Sequence, residues 1–132
     1  MNISPEFVSE LKDNEIFVFG SNESGRHGAG AALHAKEYFG AIAGQGAGLQ
    51  GKSYGIPTRN MYIETLPLDK IEIYVNDFTV FAQTHPEINF LVTEIGCGRA
   101  NYKPDNIANM FRAASKLGNV YLPQSFWDVL NK

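Results

Sequence analysis

Residues 15–59, EIFVFGSNESGRHGAGAALHAKEYFGAIAGQGAGLQGKSYGIPTR, constrain the fold more than any other stretch, because ten of the chain's 13 glycines fall between Gly20 and Gly55. Glycine removes the side chain where a backbone must turn tightly or approach something closely. The stretch opens on an apolar run, Ile16-Phe17-Val18-Phe19, stops at Gly20, crosses a polar turn and takes up helical spacing from His27 to Tyr38. Continuous rather than alternating apolarity marks a strand buried on both faces. A strand, a loop and a helix start in succession present free backbone N–H groups and the helix dipole, which favour an anion such as a phosphate. Ser21 and Asn22 fall at the strand's C-terminal end, the edge at which open α/β sheets place ligands. This is the pattern of a ligand-binding core.

The flanking sequence supplies the rest of a sheet. Pro5 can start a short helix over Glu6–Lys12 that caps the sheet edge, and a helix over Gly28–Phe39 would pack through Ala31, Ala32, Leu33, Ala35 and Tyr38. Residues 40–52 read as loop, with an extended piece at Ala41–Ala43, before a short strand over Ser53–Pro57. Three- and four-residue spacing of Leu68, Ile71, Val75, Phe78, Phe81 and Ala82 predicts an amphipathic helix over Leu68–Thr84, ending before His85-Pro86. Ile88–Ile95 is a second buried strand that ends in a glycine turn, Gly96-Cys97-Gly98. A helix from Pro104 to about Lys116, a strand over Val120–Leu122 and a helix from Pro123 through Leu130, anchored by Phe126 and Trp127, complete the chain. Strands alternating with helices indicate one domain over residues 1–132, an α/β three-layer α/β/α sandwich with a mostly parallel sheet.

Composition narrows the function classes. With a formal net charge of −3, broad binding to a nucleic-acid backbone is not expected. Arg26, Lys52, Arg59, Arg99 and Lys103 nevertheless fall in or near glycine-rich loops and can form a local basic pocket. No apolar run approaches the roughly 20 residues that cross a bilayer, and MNISPEFVSELKD lacks the pattern of a secretory signal, so no membrane association and a cytoplasmic location are expected. The single cysteine, Cys97, leaves no internal disulfide, and three dispersed histidines make a poor metal site. No cofactor is indicated.

Glycines can simply serve turns, but two strands ending in glycine loops, Gly20–Gly30 and Gly96–Tyr102, would lie at one edge of a parallel sheet and close on one ligand from both sides. Neither loop has the phosphate-loop pattern ending in Gly-Lys-Ser/Thr, nor a dinucleotide fingerprint with its following acidic residue. His27, beside the helix start, is a general acid or base near the ligand or else a capping histidine; His34 reads as outward-facing, and His85 as structural. Cys97 reads as a small residue packed under its loop rather than a thiolate. Glu94 would orient loop backbone, and Tyr54, Tyr62 and Tyr102 are stacking or packing residues, Tyr102 having the better position.

The run Asn22…Gly28-Ala29-Gly30-Ala31-Ala32, the segment IPTRN, and IGCGRANYKPDNIANMF together resemble a macro domain, the ADP-ribose-binding α/β/α module. The likeness covers roughly residues 15–125 and is greatest to the branch of terminal ADP-ribose hydrolases and of antitoxins that remove ADP-ribose from DNA; the chain is also similar to small bacterial and phage non-structural proteins. The resemblance implies Asn22 beside the distal ribose and Gly28, Ala29 and Gly30 on the ribose and pyrophosphate side, with Ser21 and Arg26 flanking them. Gly96, Cys97, Gly98, Arg99, Ala100, Asn101 and Tyr102 would wrap the diphosphate. The partner implied is ADP-ribose or an ADP-ribosylated macromolecule, and possible catalytic residues are Asn22, His27 and Arg59. Two positions depart from the branch: Arg59 stands where hydrolases carry a lysine, and Ala100 where some carry an aspartate. Arginine stays protonated and cannot serve as a nucleophilic amine. Lys52 is the lysine that could take its place in space. Three readings follow: an ADP-ribosyl hydrolase, a non-catalytic reader of ADP-ribose or a related nucleotide diphosphate, and a phage or prophage accessory protein that binds a host protein.

Overall fold

A computed structural model describes residues 1–132. The elements are β1 (Glu15–Asn22), α1 (Gly30–Tyr38), β2 (Gly48–Gln50), β3 (Ser53–Arg59), α2 (Leu68–Gln83), β4 (Asn89–Val92), α3 (Pro104–Ile107), 3₁₀ turns at Ala108–Phe111 and Ala114–Lys116, β5 (Val120–Tyr121) and α4 (Gln124–Leu130). The protein is an α/β fold on a mixed five-stranded sheet of order β2-β3-β1-β4-β5. Every pairing is parallel except β2 with β3. No helix is long and apolar enough to cross a membrane.

The unbroken apolar run of β1 is explained by its central place. Ile16 and Val18 enter a large cluster with Ile71, Val75, Phe78 and Ala82 of α2 and with Phe111, Phe126 and Trp127. Phe17 and Phe19 point the other way, into a smaller cluster with Val8, Ala32, Ala35, Phe39 and Leu91. Aromatic edges add specificity to the larger cluster, with Phe78 packed edge-on to Phe90 at 5.4 Å. The α1 stripe is narrower than its sequence predicts: Ala32 and Ala35 are buried, Leu33 is half-buried, and Ala31 and Tyr38 are exposed.

Other boundaries differ for physical reasons. The expected helix over Glu6–Lys12 does not form. Instead the N-terminal segment runs along the sheet edge, Ile3 bridging Leu122 in parallel and the Ser4 hydroxyl donating to Val92 O at 2.7 Å. The extended piece lies at Gly48–Gln50 rather than Ala41–Ala43, because Gly51, at φ +60°, lets the chain fold β2 back on β3 through a two-residue connection. The second buried strand ends at Val92, where the Thr93 hydroxyl donates to Val18 O at 2.8 Å. The helix expected from Pro104 to Lys116 breaks after Ile107 into 3₁₀ turns. Ala108, Phe111 and Ala114 are all buried at three-residue spacing, the period of a 3₁₀ helix rather than an α-helix. β3 continues past Pro57 to Arg59 and carries that residue to the sheet's C-terminal edge.

Candidate functional site

The strand order creates a switch point. From the end of β1 the chain leaves through α1 toward β3, whereas from the end of β4 it leaves through α3 toward β5 on the opposite side. Such divergence opens a crevice at the strands' C-terminal ends. A cleft of about 1470 Å³ lies there, walled by Gly20–Asn22 and Gly28–Ala32 on one side and by Val92–Glu94 and Gly96–Arg99 on the other. Residues Ile3–Val8, Phe17, Arg26, His34, Thr58, Arg59, Ile63 and Pro123–Ser125 complete the lining.

Both loops present free donors. The N-cap of α1 is Ala29, which offers no side-chain hydrogen bond, and no acidic residue occupies the first turn. The N–H groups of Gly30, Ala31 and Ala32 donate to no protein acceptor. Across the cleft, Gly96 turns the chain at φ +78°, and the loop is closed by Tyr102 N–H on Gly96 O (2.9 Å) and Asn101 N–H on Gly98 O (3.0 Å). The N–H groups of Gly98 and Arg99 in that loop likewise have no protein acceptor. Clustered free N–H groups at a helix start and in a tight loop favour an anion.

The glycines of the first loop divide by role. A Cβ on Gly25, at φ +72°, would come within 2.3 Å of the Gln45 nitrogen, so the fold itself requires glycine there. A Cβ on Gly28 would meet nothing within 4 Å, and neither would one on Gly98. Both residues line the cleft.

Charge adds to the donors. Arg26, Arg59 and Arg99 line the cleft, and none belongs to either ion pair of the protein, Lys70–Glu23 and Lys132–Asp105. Burial, and then the charge of Arg99, push the Arg59 pKa downward. The guanidinium remains charged at neutral pH. Glu6 and Glu94 also line the cleft, but neither forms an ion pair with an arginine, so an anion would relieve the repulsion between Arg59 and Arg99. In the same loop as Arg99, burial and the Glu94 carboxylate push the Cys97 thiol up to about 11, so it stays protonated and contacts Ile95 O at 3.5 Å.

Of the residues singled out from the sequence, Ser21, Asn22, Arg26, Gly28, Ala29, Gly30, Arg59, Gly96, Cys97, Gly98 and Arg99 line one cleft, whereas His27, Ala100, Asn101 and Tyr102 do not. His27 is 3% exposed, packed edge-on to Phe19, with Nε2 facing Gln45 O at 3.0 Å and Gln50 Oε1 at 3.1 Å. Two acceptors at Nε2 place the proton there and make His27 a support for the Gln45–Gln50 segment that carries β2. Asn22 spends its amide on its own loop: Oδ1 accepts from the Ser24 hydroxyl (2.7 Å) and Arg26 N–H (2.9 Å), and Nδ2 donates to Arg26 O (2.8 Å). Ala100 is buried beneath its loop, and Tyr102 packs on the large core with its hydroxyl on Leu66 O at 2.7 Å.

Most of the other polar side chains make structural contacts. Lys52 immediately precedes β3, at the end opposite Arg59, and its Nζ donates to Lys12 O at 2.6 Å, so it does not replace the absent lysine. His34 faces inward, donating from Nε2 to Val8 O at 2.6 Å. The Glu94 carboxylate accepts from the Ser125 hydroxyl at 2.6 Å, while its backbone carbonyl takes Cys97 N–H. Tyr54 lies in the core between Phe78 and Phe81, and Tyr62 is 83% exposed outside the cleft. Sequence reasoning missed Thr58, Ile63, Thr93, Ser125 and the N-terminal segment as lining. Thr58 alone had a local signal, its place before Arg59 at a strand end.

Comparison with known proteins finds no matching family model, no matching curated protein and no matching solved structure.

Proposed function

We propose that the protein is a macro-like three-layer sandwich that binds ADP-ribose, or a related nucleotide diphosphate, in the cleft between β1 and β4. The observation that carries this reading is the convergence of Arg26, Arg59 and Arg99, none of them ion-paired, on a cleft whose two glycine loops offer free N–H groups. A diphosphate can take the backbone donors from both loops and the guanidinium groups together. The cleft volume of about 1470 Å³ leaves room for the nucleoside and the distal sugar beyond the phosphates. The resemblance of GRHGAGAALHAKEYF and IGCGRANYKPDNIANMF to macro-domain segments names ADP-ribose among such ligands.

Binding without cleavage is favoured within this reading. The Asn22 amide is engaged by its own loop, His27 lies outside the cleft, and Arg59 is no nucleophile. Calorimetry with ADP-ribose is the test: saturable heat is expected, and none at millimolar ligand would sink the proposal. Incubation with mono-ADP-ribosylated protein and DNA should then leave the label in place, whereas its release would make the chain a hydrolase.

A further inference from the structure

Ile63 has a backbone φ of +65°. That is the left-handed region, where a β-branched side chain is an outlier. The segment carrying it is a short return closed by the Arg59–Thr65 bridge, with Asn60 N–H on Glu64 O at 2.7 Å and Ile63 N–H on Asn60 O at 3.1 Å. The Asn60 side chain reinforces it, Oδ1 accepting from the N–H groups of Tyr62 (2.8 Å) and Glu64 (3.0 Å). Returns of this kind ordinarily put glycine at the left-handed position. A chain with 13 glycines has isoleucine here.

Core packing does not account for that choice, since Ile63 belongs to neither hydrophobic cluster and is not among the partly buried side chains packed on them. It lines the cleft together with Arg59 and Arg99. The segment is tied across to the second glycine loop, the Thr65 hydroxyl donating to Ala100 O at 3.2 Å. Strained backbone persists where surrounding structure holds it, and it concentrates at ligand sites.

We infer that Ile63 is a ligand-covering residue, an apolar wall at the arginine end of the cleft that keeps water from the contact between a bound phosphate group and Arg59. This rests on reading the cleft as a diphosphate site. Excluding water lowers the local dielectric and strengthens a charge-assisted hydrogen bond, which a glycine at this position would leave wet.

The test measures stability and affinity on the same variants. Ile63→Asn suits left-handed backbone but is polar; Ile63→Val keeps a branched apolar side chain and the strain. For Ile63→Asn the melting temperature should rise by roughly 2–6 °C while the Kd for ADP-ribose weakens about tenfold. For Ile63→Val both should stay near wild type. A purely structural isoleucine would give a lower melting temperature in Ile63→Asn, and that result overturns the inference, as does an Ile63→Asn Kd within twofold of wild type. If the wild-type chain binds neither ADP-ribose nor inorganic pyrophosphate, the diphosphate reading itself fails and takes this role with it. Wild-type binding that Ile63→Asn leaves unchanged removes only the role of Ile63.

Discussion

At the scale of single residues, Gly28 isolates the ligand question from the folding question. It lines the cleft, its backbone lies outside the left-handed region, and a side chain there would meet no protein atom within 4 Å. Gly28→Val should therefore leave folding stability within about 0.5 kcal/mol of wild type, as for a surface substitution. The added isopropyl group sits on a cleft-lining residue two positions before α1. ADP-ribose affinity should fall at least roughly tenfold, about 1.4 kcal/mol. Thermal unfolding and calorimetry on the same variant check both halves, and unchanged affinity would show that the ligand does not approach this wall. Gly25 is the contrasting position, since a Cβ there collides with the Gln45 backbone and any loss of binding would be confounded with damage to the fold.

At the scale of elements, the sheet and α2 were legible because their signals are local. Ile16–Phe19 is continuous because β1 is central and buried on both faces, and Ile71, Val75 and Phe78 keep helical spacing because α2 lays one face on the sheet. β2 was not legible: its three residues are held by hydrogen bonds to β3 rather than by a pattern of apolar side chains. The glycine loops of the site were legible from composition. A basic pocket was legible too, since Arg26, Arg59 and Arg99 fall near those loops; that Lys52 and Lys103 stay out of the cleft and that Ile3–Val8 line it depend on tertiary adjacency, which no spacing rule carries. Packing of α2 on β3 also sets an alkaline limit. Burial first, and the Asp77 charge second, raise the Tyr54 phenol to about 12. Below pH 10 both native and unfolded chains hold that proton and the contribution is complete. Between pH 10 and about 12 the unfolded chain releases it while the native chain keeps it, so stability falls as pH rises. Tyr54→Phe should make the decline of the urea midpoint shallower by one proton over this window; parallel declines in wild type and variant would contradict the assignment. Some decline should remain in the variant, because Tyr74 is raised to about 12 by burial and by Glu23.

At the scale of the whole molecule, the charge distribution opposes the net charge. The chain carries −3 overall, yet the cleft gathers Arg26, Arg59 and Arg99 without ion pairs. The long-range field therefore does little to draw an anion in, and the proposed diphosphate affinity would have to come from contacts made inside the cleft. Salt then acts in two directions. In the free protein it screens the repulsion between Arg59 and Arg99, so the melting temperature should rise slightly as ionic strength increases. In the presence of ADP-ribose, salt anions compete for the same guanidinium and N–H groups, so the stabilisation given by a fixed ligand concentration should shrink. A ligand at about 100 times its Kd adds about 2.7 kcal/mol, on the order of 10 °C for a domain of this size. Going from about 0.05 M to about 0.5 M salt contracts the screening length from roughly 14 Å to about 4 Å and should remove a large part of that shift. Melting curves with and without ADP-ribose at both salt concentrations separate the effects. A ligand-induced shift that does not change with salt would mean that the arginines do not hold the phosphates, and that affinity comes from the nucleoside end of the cleft instead.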